Sequence, residues 1–160
     1  MNEQGLQVKT IVAAIASQED EARLRTILAF PEWNVHAVQN LPGLNAAVKA
    51  CSCSVVIADT RLSDGRSWKD VLDHLLGFWN RPQLIVADRL ADEALWAEVL
   101  NLGAYDLLVT PFEPAEVQRV VTVAWEFCVR EAVRARDRAL PKTHVTRSSS
   151  GAIRGFAVSA

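Results

Sequence analysis

Short continuous apolar runs alternate along this chain with stretches whose apolar residues recur every three or four positions. Val8 to Ala16, Trp33 to Val38, Ser54 to Ala58, Leu84 to Ala87 and Asp106 to Val109 read as strands. The first reads as a strand covered on both faces, and the third is nearly all β-branched. Between them, Gln18 to Ala29, Pro42 to Ala50, Ser67 to Phe78, Asp92 to Leu102 and Pro114 to about Ala139 predict five helices. The punctuation agrees. Ser17 with Asp20 three residues on makes an N-cap, Pro31 ends the first helix, and Pro42 sits in the first turn of the second. Gly103 closes the fourth helix, and the fifth is opened by Pro114 and stopped by Pro141.

Five strands alternating with five helices predict an α/β, doubly wound, all-parallel sheet covered on both faces. Right-handed crossovers and short connections favour the flavodoxin-like strand order 2-1-3-4-5. In such a sheet the chemistry gathers at the carboxyl ends of the strands, near the switch point between the first and third. Here that edge is Ala16-Ser17, Asp59, Ala87-Asp88 and Thr110-Pro111.

Composition narrows the choice of function. The chain has 160 residues, 50% hydrophobic and 22% charged, which is one globular domain with a short appendage. The net charge of −2 is uneven: residues 130–160 carry seven Lys/Arg against two Asp/Glu, and residues 1–129 ten against seventeen. A basic stretch of that size does not make a nucleic-acid binder by charge alone. Three cysteines, two of them at Cys51 and Cys53, do not form a disulfide framework, so a reducing cytoplasm is expected. With His36, His74 and His144 scattered, Cys51-x-Cys53 lacks further metal ligands at workable spacing. No targeting segment is evident, and the apolar run Ile11 to Ala16 is about a third of a bilayer span, so no membrane association is expected.

Asp59 follows Val55-Val56-Ile57-Ala58 directly, and a carboxylate ending a buried strand is desolvated unless it is paired. A loop-capping role is the plainer alternative. The stretch Asp59-Thr60-Arg61-Leu62-Ser63-Asp64-Gly65 resembles the phosphoacceptor loop of response-regulator receiver domains (CheY-like), with Ser63 where Pro is usual. Pro82 to Val86 is similar to the receiver's fourth strand, and Gly103 to Phe112 to its closing segment, which ends in Lys-Pro-Phe. The resemblance covers about residues 8–128. It implies a phosphoacceptor at Asp59, a sensor histidine kinase or other signalling protein as partner, and a cis bond between Thr110 and Pro111.

The departures from the family pattern are specific. Receivers carry two acidic residues at the end of strand one that hold magnesium. That position falls at Ile15-Ala16 or Ala16-Ser17, with no carboxylate in either register. Glu19 and Asp20 are the nearest acids, and both read as favourable charge in a first helical turn. The family's Thr or Ser of strand four is Ala87, its switch aromatic is Leu107, and its Lys is Thr110. Only Asp59 remains of the reacting set, so the resemblance is to an atypical, degenerate member. Magnesium at Asp59 is weakened accordingly, and no other cofactor is expected.

Other chemistry finds little footing. Thr60-Arg61 lacks the second Asp of an aspartyl-phosphate hydrolase, and no Gly-rich phosphate loop follows any strand. Four of the five tryptophans, Trp68, Trp79, Trp96 and Trp125, fall on amphipathic helical stretches, where packing is the plainest role. Trp96 stands apart because receivers meet partners through helix four. Arg130, Arg134, Arg136 and Arg138 extend the last helix, which reads either as a solvated basic end or as a docking helix for an acidic partner. The expected organisation is a lead over 1–7, a receiver-like domain over 8–128, a basic extension over 129–141 and a disordered tail over 142–160. Three functions remain open. They are a stand-alone bacterial receiver in two-component or phosphorelay signalling, a phosphorylation-independent pseudo-receiver, and a small enzymatic or ligand-binding flavodoxin-like domain. The first two are not enzymes, and homodimerisation through helix four, strand five and helix five accompanies either.

Overall fold

The computed structural model describes residues 9–29 and 33–140. The strands are β1 (Lys9–Ala14), β2 (Trp33–Ala37), β3 (Val55–Asp59), β4 (Gln83–Asp88) and β5 (Asp106–Val109). The helices are α1 (Gln18–Leu28), α2 (Leu41–Ala50), α3 (Trp68–Leu75), α4 (Glu93–Leu102) and α5 (Pro114–Ala139). All four strand pairings are parallel, in the order β2-β1-β3-β4-β5, as the alternation predicts. The lead over 1–7, the tail over 142–160, and the stops at Pro31 and Pro141 lie outside the described residues.

The period of two along the buried strands sorts the core into two layers. Ile11, Ala13, Val55, Ile57 and Ile85 meet Leu24 and Leu28 of α1 and Val117, Val121 and Ala124 of α5. Val12, Ala14, Val56, Ala58 and Val86 face α2, α3 and the Val99 side of α4. At about 25 cal/mol per Å2, burying such an Ile, Leu or Val contributes about 1.5–3 kcal/mol, which is why the buried runs fix the sheet.

Helix ends follow local chemistry. The Ser17 hydroxyl accepts from Asp20 N–H, Asp92 caps α4, and Gly103 closes α4 at φ 101°. One helix is shorter than its apolar pattern predicts. α3 stops at Leu75 instead of Phe78, because Gly77 and Phe78 N–H turn back to His74 and Leu75 carbonyls in tighter three-residue bonds. Trp79 is therefore not on a helix, and at 81% exposure it is not packed. Trp68 is buried in the core, while Trp33 and Trp125 meet edge to face at 6.3 Å. Ala22, which the helical spacing placed with Leu24, Ile27 and Leu28, is exposed. Among the described residues no helix is long and apolar enough to cross a membrane.

Candidate functional site

Asp59 is the last residue of β3, and the alternation through Val55 and Ile57 puts its side chain on the α1–α5 side. Ala87 is its register partner on β4. On the other flank Ala14 pairs with Ala58, so Ile15 and Ala16 are the residues beside Asp59. Ile15 is buried in the core, and Ala16 offers its backbone: its N–H donates to Asp59 Oδ2 at 2.7 Å. Of the two registers open in the sequence, Ile15-Ala16 is the one that flanks the carboxylate, while the Ser17 hydroxyl is engaged in capping α1.

Asp20 corrects its reading as a helix-end charge. It is only 5% exposed, on the same stripe of α1 as the buried Leu24, Ile27 and Leu28. Its Oδ2 accepts from Arg89 Nη2 at 3.1 Å, an ion pair that joins α1 to the loop after β4. The preceding residue, Asp88 at the end of β4, is also tied down. The Thr60 hydroxyl donates to Asp88 Oδ2, and Leu90 N–H donates to Asp88 Oδ1 at 2.7 Å. Arg23 Nε donates to the Phe112 carbonyl at 2.7 Å, joining α1 to the loop after β5.

Burial is the largest influence on Asp59 and pushes its carboxyl above the ordinary value. The Ala16 N–H opposes that shift, the charges of Asp20 and Asp88 reinforce it, and the Arg89 guanidinium opposes it again. Asp59, Asp20, Asp88 and Arg89 thus form one electrostatic cluster. The sequence pointed to Asp59 and to the Asp88 edge; it missed Asp20 as a member, and Arg89 altogether. The signal for Asp20 was its spacing of four from Leu24 and seven from Ile27. Arg89 carried no such signal.

The other positions singled out in the sequence sit apart from this cluster or add little to it. Asp64 is held by Leu41 N–H at 3.0 Å and Arg66 N–H at 3.1 Å, which lower its carboxyl below the ordinary value. It caps α2 and the turn at Gly65, where φ is 82°. Ala87 is buried and has no hydroxyl to offer. Leu107 packs in the α2–α3–α4 layer. Thr110 is buried, its N–H donating to the Asp88 carbonyl at 3.1 Å, and the Thr110–Pro111 bond is cis, as the resemblance implies. Glu19 is exposed. Among the described residues no group of three or more His, Cys, Asp or Glu side chains is arranged to hold a metal ion.

A second feature lies on the α4–β5–α5 face. Trp96 is half exposed, and its Nε1 donates to Asp106 Oδ1 at 3.4 Å. It lines a groove of ≈670 Å3 with Leu107, Val109 and Arg119, rimmed by the acids Asp92, Glu93, Asp106 and Glu116.

The chain is similar to known proteins in structure and not in sequence. No family model matches it, and no curated protein sequence matches it. Solved structures do. The signal receiver domain of a putative LuxO repressor protein from Vibrio parahaemolyticus superposes with a TM-score of 0.71 at 17% identity, covering 78% of this chain and 95% of that one. The signal receiver domain of an HD domain-containing protein from Pseudomonas fluorescens gives 0.71 at 17% identity, over 80% and 94%. The chemotaxis response regulator CheY4 of Vibrio cholerae gives 0.65 at 13% identity, over 74% and 99%. The chain has the CheY-like fold of response-regulator receiver domains, with the long α5 as an extension of it.

Proposed function

We propose that this chain is a receiver-type signalling module that works by protein–protein contact, without metal-assisted phosphoryl transfer to Asp59. One observation carries the reading: Asp59 Oδ2 is held by the Ala16 backbone N–H, at the place where the resemblance calls for an acidic pair. The residues present do not fit a magnesium ion. Magnesium asks for oxygen ligands in near-octahedral order. Here Ile15 and Ala16 supply no carboxylate, Asp20 is paired with Arg89, and Asp88 is taken by Thr60 and Leu90 N–H. Arg89 already brings a positive charge to the cluster, and that charge disfavours a second cation.

The same ties argue against switching. The end of β4 is tied through Asp88 to Thr60 in the loop after β3, and the loop after β4 is tied to α1 through Arg89. Ala87 has no hydroxyl, Thr110 no ammonium and Leu107 no aromatic ring, so a phosphoryl on Asp59 would meet few differential contacts, and a modification that contacts two states equally shifts neither. The face that supports partner contact is the groove around Trp96 and Arg119, open to another signalling protein or to a second copy. Three unbridged cysteines accord with a cytoplasmic setting. The carboxylates beside Asp59 are already engaged, Asp20 with Arg89 and Asp88 with Thr60 and Leu90 N–H, which favours a non-enzymatic role.

A second reading, Asp59 as phosphoacceptor for a sensor histidine kinase, draws on the position of its partly open carboxylate at the sheet edge. Intact-mass spectrometry after incubation with a small phosphodonor and magnesium separates the two. Unchanged mass supports the contact reading. A phosphoryl gain that disappears in Asp59→Asn supports the phosphoacceptor.

A further inference from the structure

The two ends of α5 border surfaces of opposite charge. Its last buried residue is Cys128, and the overhang that follows runs on for about 16 Å at 1.5 Å per residue. Residues 129–140 hold four Arg against Glu131 and Asp137. Arg134 is paired with Glu131 at 2.7 Å, while Arg130, Arg136 and Arg138 meet no carboxylate among the described residues. Val133 and Leu140 stand exposed among them.

At its other end, α5 contributes Glu116 and Arg119 to the groove around Trp96, where the charge is reversed. Asp92, Glu93, Asp106 and Glu116 stand there against Arg119. None of the four carboxylates meets a cation among the described residues. Asp92 accepts on Oδ1 from Leu95 N–H, and Asp106 on Oδ1 from Leu107 N–H and Trp96 Nε1, so both keep Oδ2 open. Trp96 and Val109, each about half exposed, are the uncovered apolar side chains of the groove.

We infer that the basic overhang of one copy docks, head to tail, in the acidic groove of a second copy. This rests on the reading of that groove as a contact face and names its occupant. One copy cannot make the contact with itself, because Arg119 and Arg136 lie on one continuous helix, about 26 Å apart along its axis. Charge selects this pairing. The unpaired Arg130, Arg136 and Arg138 suit the four carboxylates, and the odd charges, Arg119 in the groove and Asp137 on the overhang, are opposite as well. Val133 and Leu140 bring apolar side chains to Trp96 and Val109. Pairing groove to groove would instead set the acids of the two copies against each other, with one Arg from each to offset them. Head-to-tail contact joins two different patches, so each contact leaves another groove and overhang free, and the assembly grows beyond two copies unless it closes.

The test is sedimentation of the whole chain at low salt, over a range of concentrations. The parent's mass should rise with concentration, and about 0.5 M salt should move the midpoint to at least about tenfold higher concentration. One variant, Glu93→Lys with Glu116→Lys, spoils the groove and keeps the overhang. Another, Val133→Asn with Arg136→Gln, spoils the overhang and keeps the groove. None of these four positions is buried, so circular dichroism matching the parent's checks that both variants fold. Each alone should stay monomeric where the parent associates. Mixed in equal amounts they should form a one-to-one dimer, because the first still offers an overhang and the second a groove. A parent that is monomeric at every concentration overturns the inference. Association that the overhang variant retains overturns it too, by assigning the groove to face-to-face pairing, and so does a mixture that stays monomeric. The phosphodonor experiment stands apart. A phosphoryl gain at Asp59 overturns the contact reading without altering these masses, and loss of the head-to-tail contact leaves that reading in place.

Discussion

Arg89, in the loop after β4, reaches across the sheet edge to the buried carboxylate of Asp20 on α1, Nη2 to Oδ2 at 3.1 Å. The two are 69 residues apart, and their ends of the pair differ sharply in exposure, 62% for the Arg89 side chain and 8% for that of Asp20. Exposed ion pairs contribute little, but a buried carboxylate stripped of its partner is costly. Arg89→Ala should therefore destabilise the chain by about 1–2 kcal/mol, discounted from the fully buried case because Arg89 is solvated. Asp20→Asn should cost less, and the double variant less than the sum. Urea unfolding of the four proteins measures this, and strict additivity of the two single changes would contradict the pairing.

Asp59 makes a prediction whose sign is set by its raised carboxyl pKa. Because burial lifts the folded value above the unfolded one, ionising Asp59 costs the fold something. That stability is fully present below the unfolded value and is lost as pH climbs through the folded one. Asp59→Asn removes the cost while keeping an oxygen to accept from Ala16 N–H. Its Tm should exceed the parent's at pH 7, and the advantage should fade toward about pH 4. A variant less stable than the parent at pH 7 would contradict the shift.

Gly65 offers a test of backbone strain with no packing contribution. It sits at φ 82°, and a Cβ added there meets nothing within 4 Å. Gly65→Ala should cost about 1 kcal/mol, from the left-handed conformation alone. Gly77, which is not left-handed, should tolerate Ala better.

The α4–β5–α5 face carries the association prediction. If the chain pairs with itself there, Trp96→Ala or Arg119→Glu should shift a sedimentation profile toward monomer, independently of any phosphodonor. A parent that is monomeric at high concentration would end the idea that the chain pairs through this face.

The fold was legible because each level of the sequence agreed with the next. The strand runs between Ile11 and Val109 are apolar enough to be covered on both sides, and Ser17, Asp92 and Gly103 sit where the helices begin or end. The end of α3 was less legible: Leu75, Leu76 and Phe78 continue a helical apolar pattern, but Gly77 gives the backbone a tighter turn. That single difference turned Trp79 from a packed helical residue into an exposed one. Of the site, Asp59 could be read because a carboxylate after Val55-Val56-Ile57-Ala58 has few explanations. Asp20 was half legible, as an acid on a stripe otherwise filled by Leu24, Ile27 and Leu28. Arg89 was not legible, since its role depends on a loop meeting a helix that local pattern does not connect.

The central claim is that Asp59 sits in a site closed to magnesium by Ala16 N–H, Arg89 and the missing acids. The most direct measurement is the Tm of the parent with increasing magnesium, alongside a variant carrying Ala16→Asp, Ala87→Thr and Arg89→Ala. In the variant the added carboxylate removes an apolar neighbour and the guanidinium no longer competes, so binding should raise Tm with concentration. The parent should stay flat over the same range. A rise in the parent equal to that of the variant would show that its own carboxylates already hold the ion, and would contradict the account.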